Sequence, residues 1–352
     1  MAIDTTDLAA LGWSSHFQSQ LSADDLKRFT PARVLAVHRS GLEVAAGGTA
    51  ERVPQFVGGD DEEDRATVGD WLLLDKATRV PGRLLTRRTL FKRKAAGLQQ
   101  RIQLIAANID TLLIVTSCNK DFNVARLERY LALSRDAGTL PVVVITKADL
   151  ADDPGAYLSA ALNVMPGLLA ECVDSRDPTS VTMLSGWCGP GQTVALVGSS
   201  GVGKSTLVNT LSGDVIQATA PIREDDAHGR HTTAGRSMHR LASGGWLIDT
   251  SGMRELQLAD AAEGVADVFA DVAALARQCR FADCRHEDEP SCAVSAALDD
   301  GSLDPDRLRR YRKLAAEEAR NSEAIHQRRA RERDFGRMVK AVMKDRKGRD
   351  VV

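Results

Sequence analysis

Gly198-Ser199-Ser200-Gly201-Val202-Gly203-Lys204-Ser205 is the stretch whose reading decides the fold of this chain. It fits GxxxxGK[ST], the phosphate-binding loop. Thr193-Val194-Ala195-Leu196-Val197 precedes it, a short apolar run of the kind that forms a buried parallel strand. Thr206-Leu207-Val208-Asn209-Thr210-Leu211 follows, apolar on one helical face, with Gly213 where a helix would stop. A glycine-rich turn matching by chance would not bring a strand before it and a helix after it. Val197 to Thr206 is therefore the candidate phosphate site. Its glycines let backbone N–H groups turn in toward phosphate oxygens, and the helix start adds positive potential. Lys204 would reach the outer phosphates, and the Ser205 hydroxyl would hold a magnesium ion.

Upstream, Pro141-Val142-Val143-Val144-Ile145 is another buried strand, ending in Thr146-Lys147-Ala148-Asp149. Nucleotide sites form at the carboxyl ends of such strands. The four residues match [NT]KxD, the guanine-reading pattern. The Asp149 carboxylate can accept from both guanine N1–H and the exocyclic amine, a donor pair that adenine lacks. Lys147 would lay its stem along the base. Thr146 stands where the usual residue is Asn. TKxD alone is a short motif; paired with a phosphate loop it carries weight. Val173-Asp174-Ser175 is the candidate loop backing the base, through Ser175.

A third strand, Trp246-Leu247-Ile248, ends at Asp249-Thr250-Ser251-Gly252, fitting DxxG. Asp249 would hold magnesium through water, and the Gly252 N–H would sense the γ-phosphate. Met253 comes next, where related enzymes place a water-orienting Gln; a thioether cannot orient water. Gly229-Arg230-His231-Thr232-Thr233 lies where a first switch belongs. Thr232, or alternatively Thr233, would complete the magnesium shell, and His231 is the best available group to position the attacking water. The order is unusual: base recognition precedes the phosphate loop, and DxxG comes last. The same sheet forms if the domain is circularly permuted.

Cys279-x4-Cys284-x-His286-x5-Cys292 offers three thiolates and an imidazole, a set that suits tetrahedral zinc. Four protein ligands leave no open position, so the zinc would be structural, one per chain. Cys118, Cys172 and Cys188 read as ordinary core thiols.

The rest of the 352 residues is ordinary in composition, 43% hydrophobic and 27% charged, with a net charge of −2. From Arg307 onward, 16 Lys/Arg face 7 Asp/Glu, an excess of nine positive charges that would suit an acidic partner. No apolar run is long enough for a membrane span, and the N-terminus lacks the pattern of a signal peptide. The expected location is the cytoplasm, where cysteines are reduced or bind metal. Residues 1–30 read as a helical lead-in. Over 31–97, short β-like runs at Arg33–His38, Leu42–Val44, Trp71–Leu74 and Gly82–Leu85 suggest a small OB-type barrel around an acidic loop at Asp60–Asp64. Its end carries Arg83, Arg87, Arg88, Lys92, Arg93 and Lys94 with Phe91 among them, a mixture that suits RNA or a solvated edge. Strands alternating with helices over 98–258 predict a parallel α/β domain, with Val124–Ala137 one of the helices. A zinc-binding region over 259–305 and a basic helical tail over 306–352 complete the expected multi-domain arrangement.

The chain resembles the RsgA family of circularly permuted, ribosome small-subunit-dependent GTPases along nearly its whole length. Besides the motifs above, the resemblance includes Val68-Gly69-Asp70-Trp71, Ala106-Ala107-Asn108-Ile109-Asp110, and Asp121-Phe122-Asn123 with Arg129-Tyr130-Leu131. It implies an OB barrel, a permuted GTPase domain and a zinc domain. It also implies GTP hydrolysis to GDP stimulated by the small ribosomal subunit, a role in late subunit maturation, and contact with rRNA. His231 matches the family's proposed catalytic His. Thr146 and the basic tail are the departures. A working monomer using Mg2+ with GTP is expected. The competing class is an RNA-binding assembly factor in which GTP is only a binding switch.

Overall fold

The computed structural model describes residues 5–94, 102–214, 236–250, 258, 261–287 and 289–322. It divides into two compact units, Met1–Leu256 and Gln257–Val352.

The first unit is organised by an 11-stranded sheet. Its α/β half contains β8 (Thr111–Ser117), β9 (Leu140–Thr146), β10 (Leu169–Cys172), β11 (Thr193–Val197), β12 (Arg236–Arg240) and β13 (Trp246–Thr250). In space these run β10-β9-β8-β11-β13-β12. All are parallel except β12, which pairs antiparallel with β13. Parallel strands covered on both faces need continuous apolar runs, and β8 is buried at every position. Chain order differs from spatial order, so the carboxyl ends of β8, β9, β11 and β13 gather along one edge. The helices α4 (Val124–Asp136), α5 (Pro154–Leu162) and α7 (Lys204–Ser212) run from that edge, and the short α6 (Pro178–Val181) follows β10. Gly138 and Gly213 follow α4 and α7 at φ of 75° and 73°, the left-handed stop that an L side chain resists.

Strands β1 (Phe29–His38), β2 (Gly41–Ala46), β3 (Thr49–Val53), β4 (Trp71–Asp75) and β5 (Pro81–Leu84) form an antiparallel group, in the order β3-β2-β1-β4-β5. No β3–β5 pairing is found among the described residues. The group is continuous with the α/β half, because β1 pairs with β12 through Ala36↔Ser237 and Val37↔Arg236. Strands β6 (Leu90–Lys94) and β7 (Ile102–Ala107) form a separate antiparallel pair.

The lead-in forms three short helices, α1 (Thr5–Ala10), α2 (Ser15–Gln18) and α3 (Ala23–Arg28). They are packed rather than trailing: Leu8, Leu11 and Phe17 are buried against Trp71 and Leu73. Trp246 Nε1 donates to the Ala10 carbonyl at 2.8 Å. Arg33 is fully buried and donates to the carbonyls of Leu11 and Asn108. Burial pushes its guanidinium down to about 10.

The basic run over 83–94 is not an exposed RNA-binding mixture. Phe91 is only 2% exposed, so it cannot stack on a base. Arg87 bonds Asp70 at 2.8 Å, with both side chains largely buried. Burial, opposed by Arg87, leaves the Asp70 pKa above its ordinary value. Arg83 pairs with Asp25, Arg88 with Asp110 and Lys92 with Glu63. The acidic loop thus supplies a counter-ion to this stretch. The run is mostly internal ion pairing.

The second unit contains α8 (Ala262–Val268), α9 (Ala270–Ala276), α10 (Ala293–Asp299) and a helix over 305–322. That last helix is packed into the unit, with Leu308 and Leu314 buried. Arg307 on it bonds Asp271 at 3.1 Å and lies 4.2 Å over the Phe269 ring. The remainder of the basic tail, from 323, lies outside the described residues. No described helix is long and apolar enough to cross a membrane.

Candidate functional site

The phosphate loop joins the end of β11 to α7. Gly198, Gly201 and Gly203 take φ of 147°, 79° and 89°, a conformation that L side chains avoid. A Cβ at Gly198 would stand 2.2 Å from the Val115 carbonyl oxygen, so β8 itself demands a glycine there. Gly203 caps α7, whose first turn begins with Lys204 and Ser205. The Lys204 ammonium donates to the carbonyls of Gly198, at 2.8 Å, and Ser199. It therefore lies within the loop that the sequence assigned to phosphates. Ser200 and Val202 complete the loop, Val202 buried beneath it. Thr206 continues α7, and its carbonyl accepts from the Thr210 hydroxyl.

The residues expected to read the base lie at the end of β9, two strands away. Thr146 is fully buried. Its hydroxyl lies 2.6 Å from the Val202 carbonyl and 3.0 Å from the Thr116 carbonyl. It ties the TKAD segment directly to the phosphate loop. Lys147 takes φ of 59°, which turns the chain out of the strand and into the short turn Ala148–Leu150. The Asp149 carboxylate is bonded by the Arg176 guanidinium at 2.7 Å. Ser175 precedes Arg176; it is 6% exposed, and its hydroxyl has no protein partner. A Cβ at Gly203 would lie 3.3 Å from the Thr146 hydroxyl and 3.8 Å from that of Ser175. Thr146, Ser175 and the phosphate loop therefore meet at one corner.

Asp249 lies next to the last residue of β13, immediately beyond the paired position Ala195↔Ile248. This places it on the same carboxyl edge as the loop. Gly252, Met253, His231, Thr232 and Thr233 lie outside the described residues.

Cys279, Cys284, His286 and Cys292 converge, with all four ligand atoms within 4.8 Å of one another. Cys279 Sγ lies 3.8 Å from Cys292 Sγ, and each lies 3.5 Å from His286 Nδ1. A tetrahedron with metal–sulfur bonds of about 2.3 Å has edges of about 3.8 Å, with slightly shorter edges to nitrogen. The donor chemistry and the spacing both fit a zinc-type ion. His286 and Ser291 take φ of 63° and 62°, and Cys292 caps α10 by accepting from the Ser295 amide. Arg312 donates to the His286 carbonyl, tethering the loop to the helix over 305–322. Of the other three thiols, Cys118 and Cys188 are buried as core groups, whereas Cys172, at the end of β10, is only half-buried. Burial pushes Cys118 and Cys188 up to about 12 and raises Cys172 as well.

Two side chains at this corner carry no sequence signal. One is Arg176, which follows the flagged Ser175 directly. The other is Arg126, whose Nη1 donates to the Ser199 hydroxyl. No spacing rule links a helix residue to a loop 73 positions away.

A family model described as RsgA GTPase matches residues 84–259. A protein of Vibrio parahaemolyticus named small ribosomal subunit biogenesis GTPase RsgA 2 is 49% identical over 344 residues, covering 97% of this chain and 94% of that one. A protein of Mesorhizobium japonicum named small ribosomal subunit biogenesis GTPase RsgA is 50% identical over 321 residues, covering 90% and 91%. The crystal structure of YjeQ from Thermotoga maritima aligns with a TM-score of 0.60 at 22% identity, over 81% of this chain and 97% of that one. The structure of YloQ, described as a circularly permuted GTPase, aligns with a TM-score of 0.57 at 22% identity, over 82% and 94%. At that identity the two structures speak to the fold, and it is the permuted one.

Proposed function

The chain belongs to the RsgA GTPase family, and on that footing we propose that it hydrolyses GTP to GDP in the biogenesis of the small ribosomal subunit. The observation that carries the reading is the Thr146 hydroxyl at 2.6 Å from the Val202 carbonyl, which holds a guanine-reading segment against a phosphate loop. In this reading Asp149 selects guanine by accepting its donor pair, and Lys147 and Ser175 flank the base. Amides from Gly198 to Thr206 and the Lys204 ammonium hold the phosphates. Ser205, Asp249 and Thr232 would hold the magnesium, which when bound neutralises charge on the β- and γ-phosphates. His231 positions the attacking water, because Met253 offers no hydrogen bond for it. Cys279, Cys284, His286 and Cys292 would hold one structural zinc. The order β3-β2-β1-β4-β5 of the antiparallel strands supports the reading of an OB-type barrel, and this group and the metal-binding unit would contact rRNA. Late subunit maturation, stimulation by the small subunit, a cytoplasmic location and a monomeric state belong to the same proposal.

The test is GTP turnover with and without purified small subunits, with ATP as competitor. Stimulated turnover of GTP but not ATP, with nucleotide preference lost in Asp149→Asn, is the expected result. Equal use of both nucleotides would overturn the assignment of Asp149. His231→Ala with unchanged stimulated turnover would remove that residue from the reaction and leave GTP as a binding switch.

A further inference from the structure

Helix α4 starts beyond the carboxyl end of β8, on the edge where the phosphate loop lies. The Asn123 side chain caps it, accepting from the Arg126 amide at 3.0 Å. This cap fixes the backbone of the first turn, and Arg126 is its third residue. From there the half-buried guanidinium reaches the Ser199 hydroxyl, the second residue of the loop. The Lys204 ammonium meanwhile holds the Ser199 carbonyl. Ser199 is thus gripped by one cation on its backbone and another on its side chain.

Nucleotide binding would treat these two grips differently. Lysine is a compact charge on a flexible stem. To reach the phosphates, Lys204 has to leave the carbonyls of Gly198 and Ser199. Arginine has five N–H donors on a rigid fork, and the Ser199 hydroxyl occupies only one of them. Arg126 can stay in place when Lys204 leaves.

We propose that Arg126 is a positioning residue for the γ-phosphate. It keeps the Ser199 limb of the loop in shape as Lys204 transfers to the phosphates, and it sets a permanent positive charge beside the loop. The inference rests on the GTPase reading above. Phosphoryl transfer depends on positioned donors and fixed charge around the transferring group rather than on covalent help from the protein. A chain with Met253 in place of a water-orienting amide leans harder on such preorganisation. Arg126 should therefore matter more to the triphosphate and its transition state than to the diphosphate.

The experiment compares Arg126→Ala, Arg126→Lys and Ser199→Ala with the unmodified full-length chain, measuring kcat and KM for GTP and Kd for GDP. Arg126→Ala should lower kcat by about ten-fold, with GDP affinity changed by less than about two-fold. Arg126→Lys should recover part of the loss, because the charge returns without the fork. Ser199→Ala should give a smaller loss in the same direction. Wild-type kcat in Arg126→Ala would overturn the proposal. So would a parallel fall in kcat and GDP affinity, which marks a prop of the fold only. If Arg126→Ala fails to fold, Ser199→Ala decides, since it deletes the hydroxyl and keeps both cations; an unchanged kcat there overturns the proposal. Absence of GTP turnover in the unmodified chain would instead overturn the GTPase reading itself.

Discussion

The phosphate loop and the Cys–His cluster are both compact sites, but they are held in opposite ways. The loop is positioned by what lies beneath it. Val115, Val194, Val202 and Leu207 form one buried cluster under its strand and helix, and the Val115 carbonyl leaves room at residue 198 for glycine alone. The cluster over 279–292 lies in a more exposed segment. Phe281, inside the segment, is 42% exposed, and two of its non-glycine residues take positive φ. There, four ligand atoms converge from a segment of short turns, whereas in the loop the strand and helix beneath set the backbone. A GTPase must release its product without unfolding, so its nucleotide site has to exist before the nucleotide arrives. A structural metal can be part of the fold it completes.

The largest effect that could break this comparison is metal removal. Structural zinc supplies about 10–16 kcal/mol in small domains. Chelation, or Cys284→Ser, should abolish the cooperative unfolding of the second unit and its amide protection, while GDP binding changes only a few-fold. Persistent protection over 262–322 in the chelated protein would show that the unit stands on its own core. The second effect is Gly198→Ala, which sets a Cβ against the Val115 oxygen at a φ of 147°. It should destabilise the first unit by about 2–4 kcal/mol in urea unfolding and abolish GDP binding. Full stability in that variant would mean that the loop is not held by β8.

How much of this was legible in the sequence follows from the same contrast. Sites made from contiguous residues were readable: GSSGVGKS, TKAD and the Cys–His set each carry their geometry in their spacing. Strands without an apolar run were not. β3 is Thr49-Ala50-Glu51-Arg52-Val53, with only Val53 buried, and β12 is Arg236-Ser237-Met238-His239-Arg240, with only Met238 buried. Both are strands because neighbours pair with them, a long-range cause that leaves no local periodicity. Phe91 stands among basic neighbours that give its burial no sequence signal. A register shift between Phe91 and Lys92 breaks the alternation there, and the ring is buried. The lead-in revealed nothing of its packing on Trp71, and the Arg126–Ser199 contact, like Arg33 to Leu11 and Asn108, joins residues that only the folded topology brings together.

Thr146 gives the smallest and most discriminating test of a site held from below. Its hydroxyl has a single proton and lies near two carbonyls, that of Val202 in the loop at 2.6 Å and that of Thr116 in β8 at 3.0 Å. It is therefore a buried donor at the sheet edge and a tie between the TKAD segment and the glycine-rich loop. Thr146→Val keeps the shape and removes the donor, leaving a buried carbonyl without its partner, at a cost of about 1–2 kcal/mol. Thr146→Ser keeps the donor and removes a buried methyl, at a cost of about 1 kcal/mol. The two variants should lose similar stability in urea unfolding, yet only Thr146→Val should weaken GDP binding, because only it frees the loop from β9. If both weaken binding alike, the methyl contact matters as much as the hydrogen bond, and the loop is held by packing alone. If neither does, the hydroxyl is a structural plug in place of an amide, and Gly198 against Val115 is enough to hold the loop.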